Sequence, residues 1–301
     1  MTGLPTLAHL RIFQPHPGLY AYYDGRVPGH RFMAGANWVD DGALGLGIAT
    51  YALVAGDRAL VYDTHVSPAH GAAIRDHLAG LGVTHFTVIY SHWHLDHVAG
   101  TSAFAGAEVI ANARTAAHLT HHRAAIEAGT LSGLPMISPL ILPTRVFTGE
   151  MTFDFDGQTV RLIEANIHSD DATVLWLADR RILLAGDTVE DCVTYVDEPA
   201  DFAHHLRDLD RLAALRPLHV LPDHGSPRLI AAGGYDARLI AATRRYVGWL
   251  MALADSPDLA ALPLRSVIGA DLADDTLEWF GGYEAIHRQN VERTLAARQV
   301  S

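Results

Sequence analysis

Two stretches of this chain carry the same order of apolar and polar positions. From Ala49 the sequence Ala-Thr-Tyr-Ala-Leu-Val-Ala-Gly-Asp-Arg-Ala-Leu-Val-Tyr-Asp-Thr sets two β-prone runs around a Gly56-Asp57 turn, which predicts an antiparallel hairpin ending at Asp63. From Ala172 the sequence Ala-Thr-Val-Leu-Trp-Leu-Ala-Asp-Arg-Arg-Ile-Leu-Leu-Ala-Gly-Asp-Thr repeats that plan and ends at Asp187. Both open with Ala-Thr, turn at Asp-Arg and close with Asp-Thr, as a duplicated hairpin would. A helical period follows each. It runs over 68–81 after the first and over 199–215 after the second, where Phe202, Leu206, Leu209, Leu212 and Leu215 recur at three- and four-residue steps. Each half then adds a short strand, 86–90 and 218–221.

Hairpins separated by helices predict two sheets packed face to face with helices outside, an α+β fold in the form of a four-layer αβ/βα sandwich. A further hairpin over 151–163, turning at Asp156-Gly157, fits the same sheets. The Gly233-Gly234 pair marks the expected boundary of that unit, residues 1–233. Beyond it Leu239, Ile240, Tyr246, Val247, Leu250, Met251 and Ala254 keep a helical period up to Ser256-Pro257, and a last helix is expected over 283–299. Residues 234–301 therefore read as a helical C-terminal extension packed on the sandwich.

Composition narrows the function. The 301 residues include 34 acidic and 22 basic side chains, a formal charge of −12, and every basic residue is arginine. A broad basic surface for nucleic acid is disfavoured by that balance. The single cysteine, Cys192, cannot close a disulfide within the chain, so a stapled secreted scaffold is excluded and a reducing compartment, the cytoplasm, is expected. The start Met1-Thr2-Gly3-Leu4-Pro5 has neither a basic start nor an apolar run of signal length, and no stretch approaches the roughly 18 apolar residues of a membrane span. Nineteen histidines stand out, since imidazole binds metals and titrates near neutrality.

Their spacing gives the strongest chemical signal. Directly after the strand Phe86-Thr87-Val88-Ile89-Tyr90 comes Ser91-His92-Trp93-His94-Leu95-Asp96-His97. Extended backbone sends alternate side chains to one side, so His92 and His94 can converge on one ion, while Asp96 and His97 on the turn beyond reach a neighbouring one.

His-x-His-x-Asp-His after a strand, in a chain with duplicated hairpins, resembles the metallo-β-lactamase-fold superfamily of metal-dependent hydrolases, over about Leu19 to Pro227. The resemblance implies His92, His94 and His168 on a first metal, Asp96, His97 and His224 on a second, and Asp187 between them. His168 stands in Asn166-Ile167-His168-Ser169-Asp170, Asp187 in Ala185-Gly186-Asp187-Thr188, and His224 in Pro222-Asp223-His224-Gly225. Asp63 matches a family aspartate that orients the metal loop by hydrogen bonds without coordinating. Imidazole and carboxylate ligation without thiolate suits two zinc ions, with iron or manganese as chemical alternatives.

The implied activity is hydrolysis by a metal-bridging hydroxide, with Asp187 and Asp96 as the catalytic carboxylates, the latter orienting the nucleophile or receiving its proton. True β-lactamases of this fold lack the bridging aspartate, so Asp187 points toward the relatives that cleave thioesters, lactones, esters or phosphodiesters, and a small carbonyl substrate, an ester, lactone or thioester, is the leading expectation. Lactonase relatives carry tyrosine three residues later, where Glu190 stands here. A mononuclear iron dioxygenase of the persulfide-oxidising type, and phosphodiesterase or β-lactam hydrolysis on the same fold, are the alternatives. Trp38, Tyr195, Tyr283 and His287 are candidate pocket residues, the last two on one face of the final helix with Asn290. His118, His121 and His122 read as a solvated helix face, and His204 and His205 as part of an amphipathic helix. Cys192 reads as a small buried residue. A small-molecule substrate is the expected partner; oligomeric state is not legible.

Overall fold

Every strand of the duplicated hairpins is apolar on both faces, and the computed structural model of the chain, which describes residues 7–298, shows why. Seven strands form one sheet in the order β1-β2-β3-β4-β5-β6-β7: Arg11–His16, Leu19–Asp24, Ile48–Ala55, Arg58–Tyr62, His85–Ile89, Glu108–Asn112 and Arg145–Phe147. Five form the other in the order β12-β11-β10-β9-β8: β8 is Glu150–Phe155, β9 Gln158–Glu164, β10 Thr173–Leu177, β11 Ile182–Gly186 and β12 His219–Pro222. On β4, Leu60 and Tyr62 face the space between the sheets, while Ala59 and Val61 face the helix Pro68–Gly80 with its Ile74 and Leu78. On β11, Ile182 and Leu184 face inward, while Leu183 and Ala185 meet Leu209 and Leu212 of the helix Phe202–Ala214. A strand buried on both faces has no polar side to show, hence the continuous apolar runs. The expected α+β sandwich is the observed one.

The two halves repeat. β3 and β4 form an antiparallel hairpin and a helix leads on to β5, parallel to β4; β10 and β11 form the matching hairpin and a helix leads on to β12, parallel to β11. Ser67 caps the first of these helices by accepting from His70 N, with Pro68 in its first turn. Parallel strands end at the same edge, so the residues after β4, β5, β11 and β12 gather there. The loop between β9 and β10 joins them, because β10 starts where antiparallel β11 ends.

Tyrosines join the sheets beneath that edge. Tyr51 Oη donates to Pro222 O at 2.5 Å, Tyr62 Oη to Thr173 O at 2.6 Å and Tyr23 Oη to Gly225 O at 3.0 Å, so these three buried phenols of the first sheet satisfy their hydroxyls on backbone of the second half. Behind the edge, Gly71 and Gly100 meet backbone to backbone. A β-carbon on Gly71 would lie 2.3 Å from Gly100 O, and one on Gly100 would lie 1.9 Å from Thr64 O.

The sequence pattern did not mark β1, β2, β6 or β7. β7 is short, β1 is mixed in polarity and carries Pro15 and His16, and β2 and β6 stand outside the repeated hairpin pattern. After Gly233-Gly234 the chain turns back onto the sheet, with Tyr235 N donating to Val220 O at 2.8 Å and Val220 N to Tyr235 O at 2.7 Å. The helices Arg238–Ala252 and Tyr283–Arg298 then share one apolar cluster with β10 and β11. The expected end of the last helix at Gln299 and the start Met1 to Pro5 lie outside the described residues. Among the described residues no helix is long and apolar enough to cross a membrane.

His205, on the helix Phe202–Ala214, is fully buried and neither ring nitrogen finds a partner among the described residues. Burial pushes its pKa down to about 4, while an unfolded chain protonates it at 6.5. Its neutral form is therefore costless above pH 6.5, and stability is lost as pH falls from there toward 4. By that linkage roughly 2 kcal/mol disappears between pH 7 and pH 5. His205→Leu is expected to remove about that much of the acid-dependent loss, read by urea unfolding at the two pH values; an unchanged acid slope would count against it.

Candidate metal centre

β5 ends at Ile89, and the chain enters a loop that closes into the short helix Leu95–Val98. His94 stays extended at the helix start (φ −64°, ψ 151°), which keeps His92 and His94 on one side while Asp96 and His97 rise from the helical turn. His92 Nε2 and His168 Nε2 lie 2.9 and 3.0 Å from His94 Nδ1. A second group forms alongside: Asp96 Oδ2 lies 3.6 Å from His97 Nε2 and 3.4 Å from His224 Nε2. Asp187 Oδ2 sits between the groups, 3.7 Å from His92, 3.8 Å from His168, 3.1 Å from His97 and 3.5 Å from His224, in each case at Nε2. All seven residues singled out in the sequence are thus brought together, four from the β5 loop and one each from the loops after β9, β11 and β12.

The far side of each of four rings is fixed. His97 Nδ1 lies 2.9 Å from Asp63 Oδ2 and 3.2 Å from Asp223 Oδ2; His224 Nδ1 donates to Gly47 O at 2.7 Å; His168 Nδ1 donates to Tyr195 O at 3.0 Å; His92 Nδ1 is 2.9 Å from Ser91 Oγ. Asp63 also accepts from Ser91 N at 2.7 Å, so one carboxylate holds both the loop backbone and a ring. It does this from a positive φ of 63°, followed two residues on by His65 at 70°, a conformation that marks a sharp exit from β4. Such ties aim each Nε2 inward and set which nitrogen keeps its proton.

Charge completes the picture. Burial works to raise the Asp187 carboxyl, yet His224 and His97 outweigh it and hold it well below the carboxylate range. Burial lowers His97 and His224, but the surrounding carboxylates, Asp187 first, push both well above 6.5. His92, dominated by burial and by its imidazole neighbours, goes well below it. These groups therefore seek positive charge at their common centre. Asp187 Oδ1 is buried without a partner among the described residues, and the inward nitrogens and carboxylate oxygens form overlapping sets whose atoms lie within 4.8 Å of one another. The donor chemistry fits divalent cations.

A cavity of about 280 Å³ opens over this cluster, walled by Trp38, Trp93, Leu131, Tyr195, Ile286 and Gln289. Trp38 and Tyr195 stand where the sequence suggested. Tyr283 does not line the cavity: it is buried behind the wall, with its hydroxyl donating to Glu190 Oε2 at 3.1 Å. His287 lies off the cavity too, its Nε2 3.0 Å from Leu262 O and its Nδ1 3.0 Å from Tyr246 Oη. The helix does reach the site, but through Ile286 and Gln289. Asn290 is structural, accepting from Val196 N and donating to Thr194 O.

Sequence reading passed over Glu190 as a site residue. It lines the cavity floor, its Oε1 accepting from Thr194 Oγ1 and Tyr195 N, and burial followed by Asp187 pushes its pKa up to about 8. Its place three residues after Asp187 was the available signal. His118 is half-buried, its Nε2 2.8 Å from Asp170 Oδ1, and it stacks with His122 on Trp93, so that face is not simply solvated. Cys192 is buried as expected, with its thiol pushed up to about 12 by burial.

Comparison with known proteins agrees with this fold. The family model described as the metallo-beta-lactamase superfamily matches residues 44–224. A beta-lactamase-like protein 2 homolog from Drosophila melanogaster is 25% identical over 186 residues, 60% of this chain and 59% of that protein, so the match spans less than two thirds of that relative. Among solved structures, a metallo-beta-lactamase from Pontibacter korlensis superposes with a TM-score of 0.60 at 16% identity, over 80% of this chain and 99% of its own. One from Hirschia baltica gives 0.55 at 18% identity, over 79% and 97%. At such identities the likeness speaks for the fold alone.

Asp63→Asn keeps an acceptor for Ser91 N and weakens the hold on His97. Metal affinity is expected to fall by about 10- to 100-fold with the fold intact, measured by competition with a chelating dye; unchanged affinity would contradict the orienting role.

Proposed function

The chain belongs to the metallo-β-lactamase superfamily, and we propose that it is a dinuclear metal-dependent hydrolase of small carbonyl compounds, an ester, lactone or thioester. The observation that carries this is Asp187 Oδ2, within 3.8 Å of four imidazole nitrogens drawn from both groups. His92, His94 and His168 would hold one ion, Asp96, His97 and His224 the other, and Asp187 both. Two divalent ions bound there, zinc by donor type with iron or manganese as alternatives, would supply an activated water and a Lewis acid for the scissile carbonyl. A glutamate or thiolate in place of His94 would alter that donor set; neither is present.

The chain's own groups supply the remainder. Asp96 is buried on its Oδ2 side between His97 and His224, and its side chain keeps a small exposure toward the cavity, a position from which a carboxylate oxygen can orient water and take its proton. Trp38, Trp93 and Leu131 restrict bulk water around the reacting carbonyl. Residues 1–233 provide this machinery, and 234–301 contribute Ile286 and Gln289 to its wall. The lone cysteine and acidic balance suit a cytoplasmic enzyme acting on small molecules and not on nucleic acid.

His94→Ala and Asp187→Asn are expected to lower turnover on a panel of aryl esters, lactones and thioesters by at least about a thousandfold. Elemental analysis should find two metal ions per wild-type chain and fewer in the variants, with circular dichroism unchanged. Wild-type-like hydrolysis in either variant would refute the assignment; a single iron with oxygen uptake would favour dioxygenase chemistry instead. Chelation should abolish turnover, and returning the divalent metal should restore it.

A further inference from the structure

The cavity has an unbalanced chemistry. Its floor carries Asp96, Asp187 and Glu190 beside the cluster imidazoles, its walls are aromatic and aliphatic, and its neutral polar groups outside the floor are Ser132, Gln289 and the Tyr195 hydroxyl. Among the described residues none of the chain's arginines lines it. Two arginines that touch wall residues are committed elsewhere. Arg26 Nε donates to Leu46 O at 2.6 Å and its Nη2 to Asp191 O at 3.2 Å, with the guanidinium 4.1 Å over the Phe280 ring. Arg293 binds Asp197 and covers the Tyr195 ring at 5.2 Å.

One indole is held at its polar end and the other on a ring face. Trp38 Nε1 donates to Pro135 O at 2.9 Å, which ties the 131–137 loop to the wall. Trp93 has a face covered by His118 and His122. Glu190 already receives three hydrogen bonds, from Thr194, Tyr195 N and Tyr283. An anionic group entering away from the candidate metal cluster would lose water and meet no arginine, only the neutral groups of Ser132, Gln289 and Tyr195, the floor carboxylates and ring faces, which do not replace the hydration of a full charge.

We infer that the part of the substrate not being cleaved is uncharged and apolar, a short alkyl or aryl arm seated against Trp38, Trp93, Leu131 and Ile286. The cavity volume of about 280 Å³ lies just below the roughly 300–1,000 Å³ range of ligand pockets, which limits the arm to modest size. Substrates bearing a remote carboxylate or phosphate are turned away. This rests on the hydrolase reading, because the carbonyl end is taken to face the metal cluster.

The test uses the purified protein with its metals and two chelating ligands of matched length, hexanehydroxamic acid and the monohydroxamate of adipic acid, which ends in a carboxylate. Binding is followed by calorimetry. The neutral compound is expected to bind at least about tenfold more tightly. Leu131→Arg, and Ile286→Arg from the last helix, should each narrow or reverse that ratio. Equal or tighter binding of the carboxylate-ended compound overturns the inference while leaving the hydrolase reading in place. Binding of neither compound overturns both.

Discussion

One carboxylate oxygen surrounded by four buried imidazoles sets the terms for the whole molecule. Asp187 cannot be charged in that position without positive charge beside it, and the imidazoles cannot all supply it without protonating against their own burial. Divalent cations resolve the conflict, since they let the rings remain neutral and the carboxylates ionised. The rest of the architecture can be understood as the means of bringing those groups to one point and holding them there.

That point lies on the seam between two half-molecules. The β5 loop brings four of the seven groups from the larger sheet, and His168, Asp187 and His224 come from the smaller. The tyrosine hydroxyls that cross just below hold the halves in register through groups that are not metal donors. Ion binding then adds a strap where the polypeptide has already placed a hinge pin, and by linkage it stabilises the folded chain.

Much of this was legible in the residues, for different reasons. The His92–His97 run announces itself because four donors follow an apolar strand at once. His168, Asp187 and His224 are isolated in sequence, and they stood out through the resemblance and the repeated hairpin, which puts Asp63 and Asp187 at equivalent strand ends. The last helix shows the limit. Its period gives faces but not which face meets the cavity, so Tyr283 and His287 were favoured where Ile286 and Gln289 make the wall. Glu190 follows Asp187 by three residues, but its importance arises from burial beside that carboxylate, which only tertiary structure creates.

The contact between Gly71 and Gly100 separates what can vary from what cannot. Behind the strand edge main chain is registered against main chain, with no room at either position for any side chain larger than hydrogen, whereas the cavity walls are upholstered with side chains that can be exchanged singly. Such a molecule can be retuned to a new guest by altering its upholstery while its reactive apparatus stays where it is.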